Sequence, residues 1–290
     1  MRVARTPGEL ERVPRAAAIG TFDGVHRGHR SVVRVAAEAD LRPTVITFHP
    51  HPREVLGNRV QLLSSLERRL ELLAALDVEE TLVVEFTPEV AQLGPDEFAR
   101  LYLEPIGVRL VVAGESFRFG RGRSGDLDLL RRLGFETAVA PHVDGASSTE
   151  IRRQLDAGDV VGAAALLGRP PEVEGTVVAG DARGGTLGFP TANLRVDQAL
   201  LVPRFGIYAG AALGHRAAVS IGVNPHYGGS ERRVEAHLLD FDGDLYGRRL
   251  VLELWQRLRD EAAFGSEQEL VEQIARDVAA ARAAVRPGDP

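Results

Sequence analysis

The chain has 290 residues, 44% of them hydrophobic and 26% charged, and a net charge of −6. This is an ordinary soluble composition; it argues against nonspecific nucleic-acid binding, and no apolar run is long enough to span a bilayer. There is no cysteine, and no lysine among the 35 basic residues, which excludes disulfides, thiolate nucleophiles, Cys-ligated zinc and every lysine-based phosphate or Schiff-base chemistry.

Phosphate charge must therefore be met by arginine, histidine, backbone N–H groups or a metal. The first 18 residues carry arginines but no apolar leader, so a cytoplasmic protein is expected.

In the first half, strand-length apolar runs fall at 16–20, 44–48, 81–86, 109–115 and 137–143. Segments with helical spacing lie between them, at 30–39, 66–76, 95–106 and 126–134. Strand and helix alternating in this way predict a parallel sheet covered on both faces. Ligands of such sheets bind beyond the carboxyl ends of the strands, so the loops after the apolar runs are the ones to read. A helical stretch over 148–168 closes this half, and Arg169-Pro170-Pro171 breaks the pattern. We place the domain boundary there, giving domains 1–168 and 169–290.

After it, β-rich runs at 172–180, 206–213, 216–223, 234–241 and 249–259 are separated by Gly, Pro and Asp turns. That spacing predicts a small antiparallel barrel. A final amphipathic helix runs from Ser266, as N-cap with Glu269 three residues on, to about Val285.

The first apolar run leads straight into Gly20-Thr-Phe22-Asp23-Gly-Val-His26-Arg-Gly28-His29. A glycine at the strand end admits a ligand, Asp23-Gly24 turns the chain, and His26 and His29 lie three apart on one helix face. A helix N-terminus with two imidazoles suits a polyphosphate whose charge grows during displacement; the alternative is two histidines facing solvent. The segment resembles the phosphate-binding signature of the nucleotidylyltransferase superfamily, G-x-F-D-x-x-H-x-G-H. A second superfamily motif, I-S-S-T-x-I-R, is matched by Ala146-Ser-Ser148-Thr149-Glu150-Ile-Arg152. Hydroxyls at a helix start and an arginine suit phosphate, although Ser-Ser-Thr is also a plain N-cap.

Two further loops, Thr47–Val55 with His49-Pro50-His51-Pro52 and Gly114–Asp126 with Ser116 and a run of arginines, resemble the FMN adenylyltransferase module of bacterial bifunctional riboflavin kinase/FAD synthetases. The resemblance implies that His49, Pro50 and Pro52 help hold flavin. It implies ATP contacts at Gly20, Phe22, Asp23, His26, His29, Gly114, Ser116, Ser148, Thr149 and Arg152. Ser116 stands where the family usually has Asn or Asp, and Glu150 where relatives are often basic.

The string Gly180-Asp-Ala-Arg183-Gly184-Gly-Thr-Leu-Gly188-Phe-Pro-Thr191-Ala-Asn193 is glycine-rich, as a phosphate cradle requires. Its Thr191 and Asn193, two apart on an extended segment, present two oxygen donors to the same side, suited to Mg²⁺. The string resembles the riboflavin kinase signature, with Gly185 where Arg is common. The resemblance implies ATP contacts at Gly180, Arg183, Gly184, Gly188, Thr191 and Asn193, with Mg²⁺ held by Thr191 and Asn193. It also implies a catalytic base at Glu235, in a strand of pattern V-E-x-H, and a flavin contact at Arg259. The expected enzyme converts riboflavin to FMN and FMN to FAD with ATP and Mg²⁺. It acts on small molecules, without nucleic acid or membrane, as a monomer or weak homo-oligomer. The alternatives are a relative with one decayed site and a flavin-binding regulator without turnover.

Overall fold

The computed structural model describes residues 1–180, 188–223 and 232–287. Arg183, Gly184 and Gly185 lie outside the described residues. The chain divides into two compact units, Met1–Ser147 and Ser148–Pro290.

The first unit is a six-stranded sheet of β1 (Arg2–Ala4), β2 (Arg15–Ile19), β3 (Arg42–His49), β4 (Glu80–Glu85), β5 (Val108–Ala113) and β6 (Glu136–Val139). Its order is β1-β4-β3-β2-β5-β6, and every pairing is parallel. The helices are α1 (Arg27–Ala37), α2 (Pro52–Val55), α3 (Leu66–Ala74), α4 (Pro88–Gln92), α5 (Pro95–Phe98) and α6 (Leu127–Arg132). All five residues of β2 are buried, and alternate ones serve opposite cores: Ala17 and Ile19 join one cluster, Ala16 and Ala18 the other. That is the signature of a sheet covered on both faces. The helical spacing over 95–106 resolves into α5 followed by a π-turn over Ala99–Leu103, closed by Glu104 N–H donating to the Ala99 carbonyl. At the amino edge of the sheet the fully buried Arg15 is well matched. It pairs with Glu80 at 2.7 Å and donates to the carbonyls of Glu11, Val13 and Ile106.

The second unit opens with α7 (Ser148–Ala157) and α8 (Val160–Leu167). The single helical stretch expected here is broken at Gly158, where φ is +83°. The barrel follows: β7 (Glu172–Val178), β8 (Ala192–Arg195), β9 (Gly206–Ala212), β10 (His215–Val223), β11 (Arg232–Leu238) and β12 (Arg249–Arg259). It is closed and antiparallel, in the order β10-β11-β8-β7-β12-β9. The last helix, α9 (Glu267–Ala283), starts as expected, with Ser266 Oγ accepting from Glu269 N–H at 3.2 Å. It packs Ala281, with Ala284 just beyond, against Ala209 and Trp255 of the barrel.

The α7–α8 pair is tied to the barrel. Arg204 N–H donates to the Leu155 carbonyl, and a Cβ on Gly158 would stand 2.8 Å from Arg257 Cδ. Gly158→Val therefore combines a left-handed backbone with a clash, and we expect it to cost about 1–3 kcal/mol. Denaturant unfolding of the full chain, followed in the transition of the second unit, checks this.

Candidate active sites

Beyond β2 the chain leaves the sheet through a tight loop in which Phe22, Gly24 and Val25 have φ of 50°, 80° and 40°. Two non-glycine residues in the left-handed region mark a backbone held against its preference. Part of what holds it is Asp23, buried, whose Oδ1 accepts from the amides of Leu63 (2.8 Å) and Ser64 (3.3 Å). Ser64 Oγ in turn accepts from Gly24 N–H at 3.2 Å.

His26 caps α1, its Nδ1 accepting from His29 N–H at 3.3 Å. The imidazoles of His26 and His29 are stacked, with centroids 3.6 Å apart and planes at 18°, and the edge of Phe22 meets His29 at 5.2 Å. Both histidines thus stand as one pair at the N-terminus of an eleven-residue helix, where partial positive charge collects. Gly28 lies against the Ala146 carbonyl, 3.2 Å from where its Cβ would be. The Ser-Ser-Thr string begins at the next residue, and Ser148 and Thr149 form the first turn of α7. Glu150, the acidic departure, is engaged on its own helix by Arg153 at 2.8 and 2.5 Å, and this hydrogen-bonded pair lowers its pKa.

Beyond β3, the His49–Pro50 peptide is cis. His51 is buried and caps α2: its Nδ1 accepts from Arg53 N–H, and its own N–H donates to Glu54. His49 is the imidazole left for a ligand on this loop. Partial burial, then the cations Arg69 and Arg5, lower its pKa, with Glu54 opposing. A histidine with a depressed pKa favours the fold above its ordinary value of about 6.5 and loses that contribution as pH falls through the lowered value. We expect the first unit to weaken on acidification below neutrality, less steeply in His49→Gln. In histidine NMR titrations, His49 should be the ring that stays neutral to lower pH than an unperturbed one.

Beyond β5, Gly114 leads to the exposed Ser116, and Phe119 and Gly125 exchange two backbone hydrogen bonds, pinching off a loop that exposes Arg121 and Arg123. At this edge aromatic rings form a chain. Phe48 meets Phe86 and Phe98; Phe98 stacks on Tyr102 at 5.0 Å and meets Phe119, which stacks on Phe117 at 5.5 Å. Sequence reading did not single these rings out. Aromatic residues following strands 3, 4 and 5 were the available signal.

In the barrel, Asn193 of β8 and Glu235 of β11 are direct partners across two strands. Arg233 bridges them: its Nε and Nη2 each donate to Asn193 Oδ1 at 3.3 Å, and Nη2 pairs with Glu235. A Cβ on Gly180 would fall 2.2–2.6 Å from the Asn193 amide, so only glycine allows this approach. His237, on the same face of β11 as Glu235, shares its Nδ1 with the Pro190 carbonyl at 2.8 Å and meets Phe189 edge-on. It thereby fixes the chain immediately before Thr191. Thr191 and Asn193 carry a hydroxyl and a carboxamide oxygen, donors of the kind Mg²⁺ takes, and Glu235 is a carboxylate directly across from Asn193. Arg259, at the end of β12, is held by Asp277 of α9 at 2.6–3.2 Å and lies over Phe264.

The profile of the riboflavin kinase family matches residues 167–285, and that of FAD synthetase residues 10–153. The bifunctional riboflavin kinase/FMN adenylyltransferase of Listeria monocytogenes is 35% identical over 293 residues, covering 94% of this chain and 93% of that one. The enzyme of the same name from Escherichia coli is 35% identical over 305 residues, covering 97% of each. The chain belongs to the bifunctional riboflavin kinase/FMN adenylyltransferase family. A Streptococcus pneumoniae crystal structure described as a macrolide-efflux protein shares the architecture, with a TM-score of 0.87, 30% identity and 97% of this chain covered. Among the described residues here no helix is long and apolar enough to cross a membrane.

Two of the departures from the usual pattern, Glu150 and Ser116, lie among the described residues. Glu150 is paired with Arg153 on its own helix. Ser116 is exposed at the strand end. The third departure, Gly185, lies outside the described residues.

Proposed function

We propose that the chain makes flavin cofactors in two ATP-dependent steps: riboflavin to FMN within residues 169–290, then FMN to FAD with release of pyrophosphate within residues 1–168. What supports this is two clusters of different construction in one chain: a stacked histidine pair at a helix start, and an Asn193–Glu235 pair on barrel strands backed by Gly180.

In the barrel, Glu235 accepts the proton of the terminal ribityl hydroxyl as that oxygen attacks the γ-phosphorus of ATP. Thr191 and Asn193 would hold Mg²⁺, which when bound neutralises phosphate oxygens. His237 keeps Pro190, and so Thr191, in place. Arg259, oriented by Asp277, contacts flavin from the β12 end. In the sheet unit, a phosphate oxygen of FMN attacks the α-phosphorus of a second ATP, and pyrophosphate leaves. His26 and His29 bind the departing charge, so no covalent enzyme intermediate is needed. His49, Pro50 and Pro52 follow Phe48, whose ring meets Phe86, and would give flavin apolar and polar contacts. The family resemblance also assigns phosphate contacts to Ser148, Thr149 and Arg152. The substrates are riboflavin, FMN and ATP in the cytoplasm, and the protein works as a monomer or weak homo-oligomer.

The by-products separate the two reactions. ³¹P NMR should show ADP when riboflavin is supplied and pyrophosphate when FMN is supplied. If neither appears with Mg²⁺ present, the reading is wrong.

A further inference from the structure

The two buried arginines of the sheet unit differ in how they are satisfied. Arg15 is fully buried at the amino edge and meets Glu80 and three carbonyls. Arg69, on α3, is equally buried, yet among the described residues it donates to one carbonyl, Phe48 at 3.1 Å, and one hydroxyl, Thr47 Oγ1, at 3.5 Å. Its Nε and Nη2 meet no acceptor among the described residues.

Its neighbours are the carboxylates it feels most, Asp23 and Glu54. Asp23 accepts from backbone amides of Leu63 and Ser64, and Glu54 from His51. Those two acids belong to the two loops that carry the proposed phosphate and flavin contacts. A guanidinium stays charged at neutral pH even when burial lowers its pKa. A buried charge with unmet donors is expensive, and an apolar residue of similar size usually serves a core as well or better. Such a residue is informative when it borders a site that must hold anions, in a chain without lysine.

We infer that Arg69 is a positioning residue for adenylyl transfer: it anchors the end of β3 through Phe48 and holds a positive charge against the loops that carry Asp23 and Glu54. This rests on the adenylylation reading above. Arg69→Met is expected to lower kcat/KM for FAD formation at least about tenfold, the scale of a nearby charge in a partly screened site. The pyrophosphate concentration that halves FAD formation should rise in parallel, while riboflavin phosphorylation is unchanged and the melting temperature is equal or higher. Arg69→Lys, which keeps the charge, should recover much of both losses.

FAD formation and pyrophosphate inhibition within twofold of wild type in Arg69→Met would overturn the inference. So would a loss that accompanies a lowered melting temperature and that lysine does not restore, since this describes a purely structural residue. No FAD from the wild-type chain would instead overturn the adenylylation reading on which the inference stands.

Discussion

Glu235→Gln should abolish FMN formation from riboflavin while FMN supplied in solution is still converted to FAD. Glutamine keeps the size and the register of β11 against β8 and β10, so Asn193 and Ser220 retain their cross-strand partner. What disappears is the basic oxygen, and removal of a positioned general base costs on the order of 10²- to 10⁴-fold in rate. The substitution also takes the negative charge from Arg233. That pair is partly exposed, with side chains 29% and 23% accessible, so its loss costs stability little, about 0–1 kcal/mol. ADP release with riboflavin and FAD formation from FMN, measured on one preparation, check the result. Unchanged ADP release would remove Glu235 from the reaction.

His29→Ala should do the reverse, leaving FMN to accumulate from riboflavin. His29 is the cleaner of the two histidines to remove. His26 is buried and caps α1, so its loss mixes chemistry with a cap worth about 1 kcal/mol. His29 contributes a ring stacked on His26 and touching Phe22. Removing one preorganised group that binds developing charge costs about 10²- to 10³-fold. Chromatography of a riboflavin incubation should show FMN at wild-type levels and FAD nearly absent. FAD at wild-type levels would remove the histidine pair from catalysis.

The alternation of apolar runs and helical spacing made the parallel sheet legible, and the Gly/Pro/Asp-separated runs made the barrel legible, because both patterns report which faces are buried. Two strands escaped. β1 is three residues long and polar at its first position, too short for a periodicity. β8 begins within the Pro-Thr-Ala-Asn string, read as an extended motif, and runs two residues past it; it is the sixth strand that lets the barrel close. The π-turn after α5 and the break at Gly158 depend on backbone angles that spacing does not encode.

Within the sites, sequence motifs named the histidine pair, Asn193 and Glu235. The residues that hold them came from the fold: His237 on Pro190, Arg233 between Asn193 and Glu235, Asp277 on Arg259. Arg69 did leave a trace. It stands three residues after Leu66 and four before Leu73, on the apolar stripe of α3, where a charge is out of place.

The central claim is that one chain carries two separate phosphate-handling sites that act in series. Incubation of the purified protein with riboflavin, ATP and Mg²⁺, sampled over time by chromatography, tests it directly. FMN should appear first and FAD should follow at its expense, with each product lost separately in Glu235→Gln and His29→Ala. Riboflavin that remains unconverted, or a single substitution that eliminates both FMN formation and the conversion of supplied FMN, would contradict it.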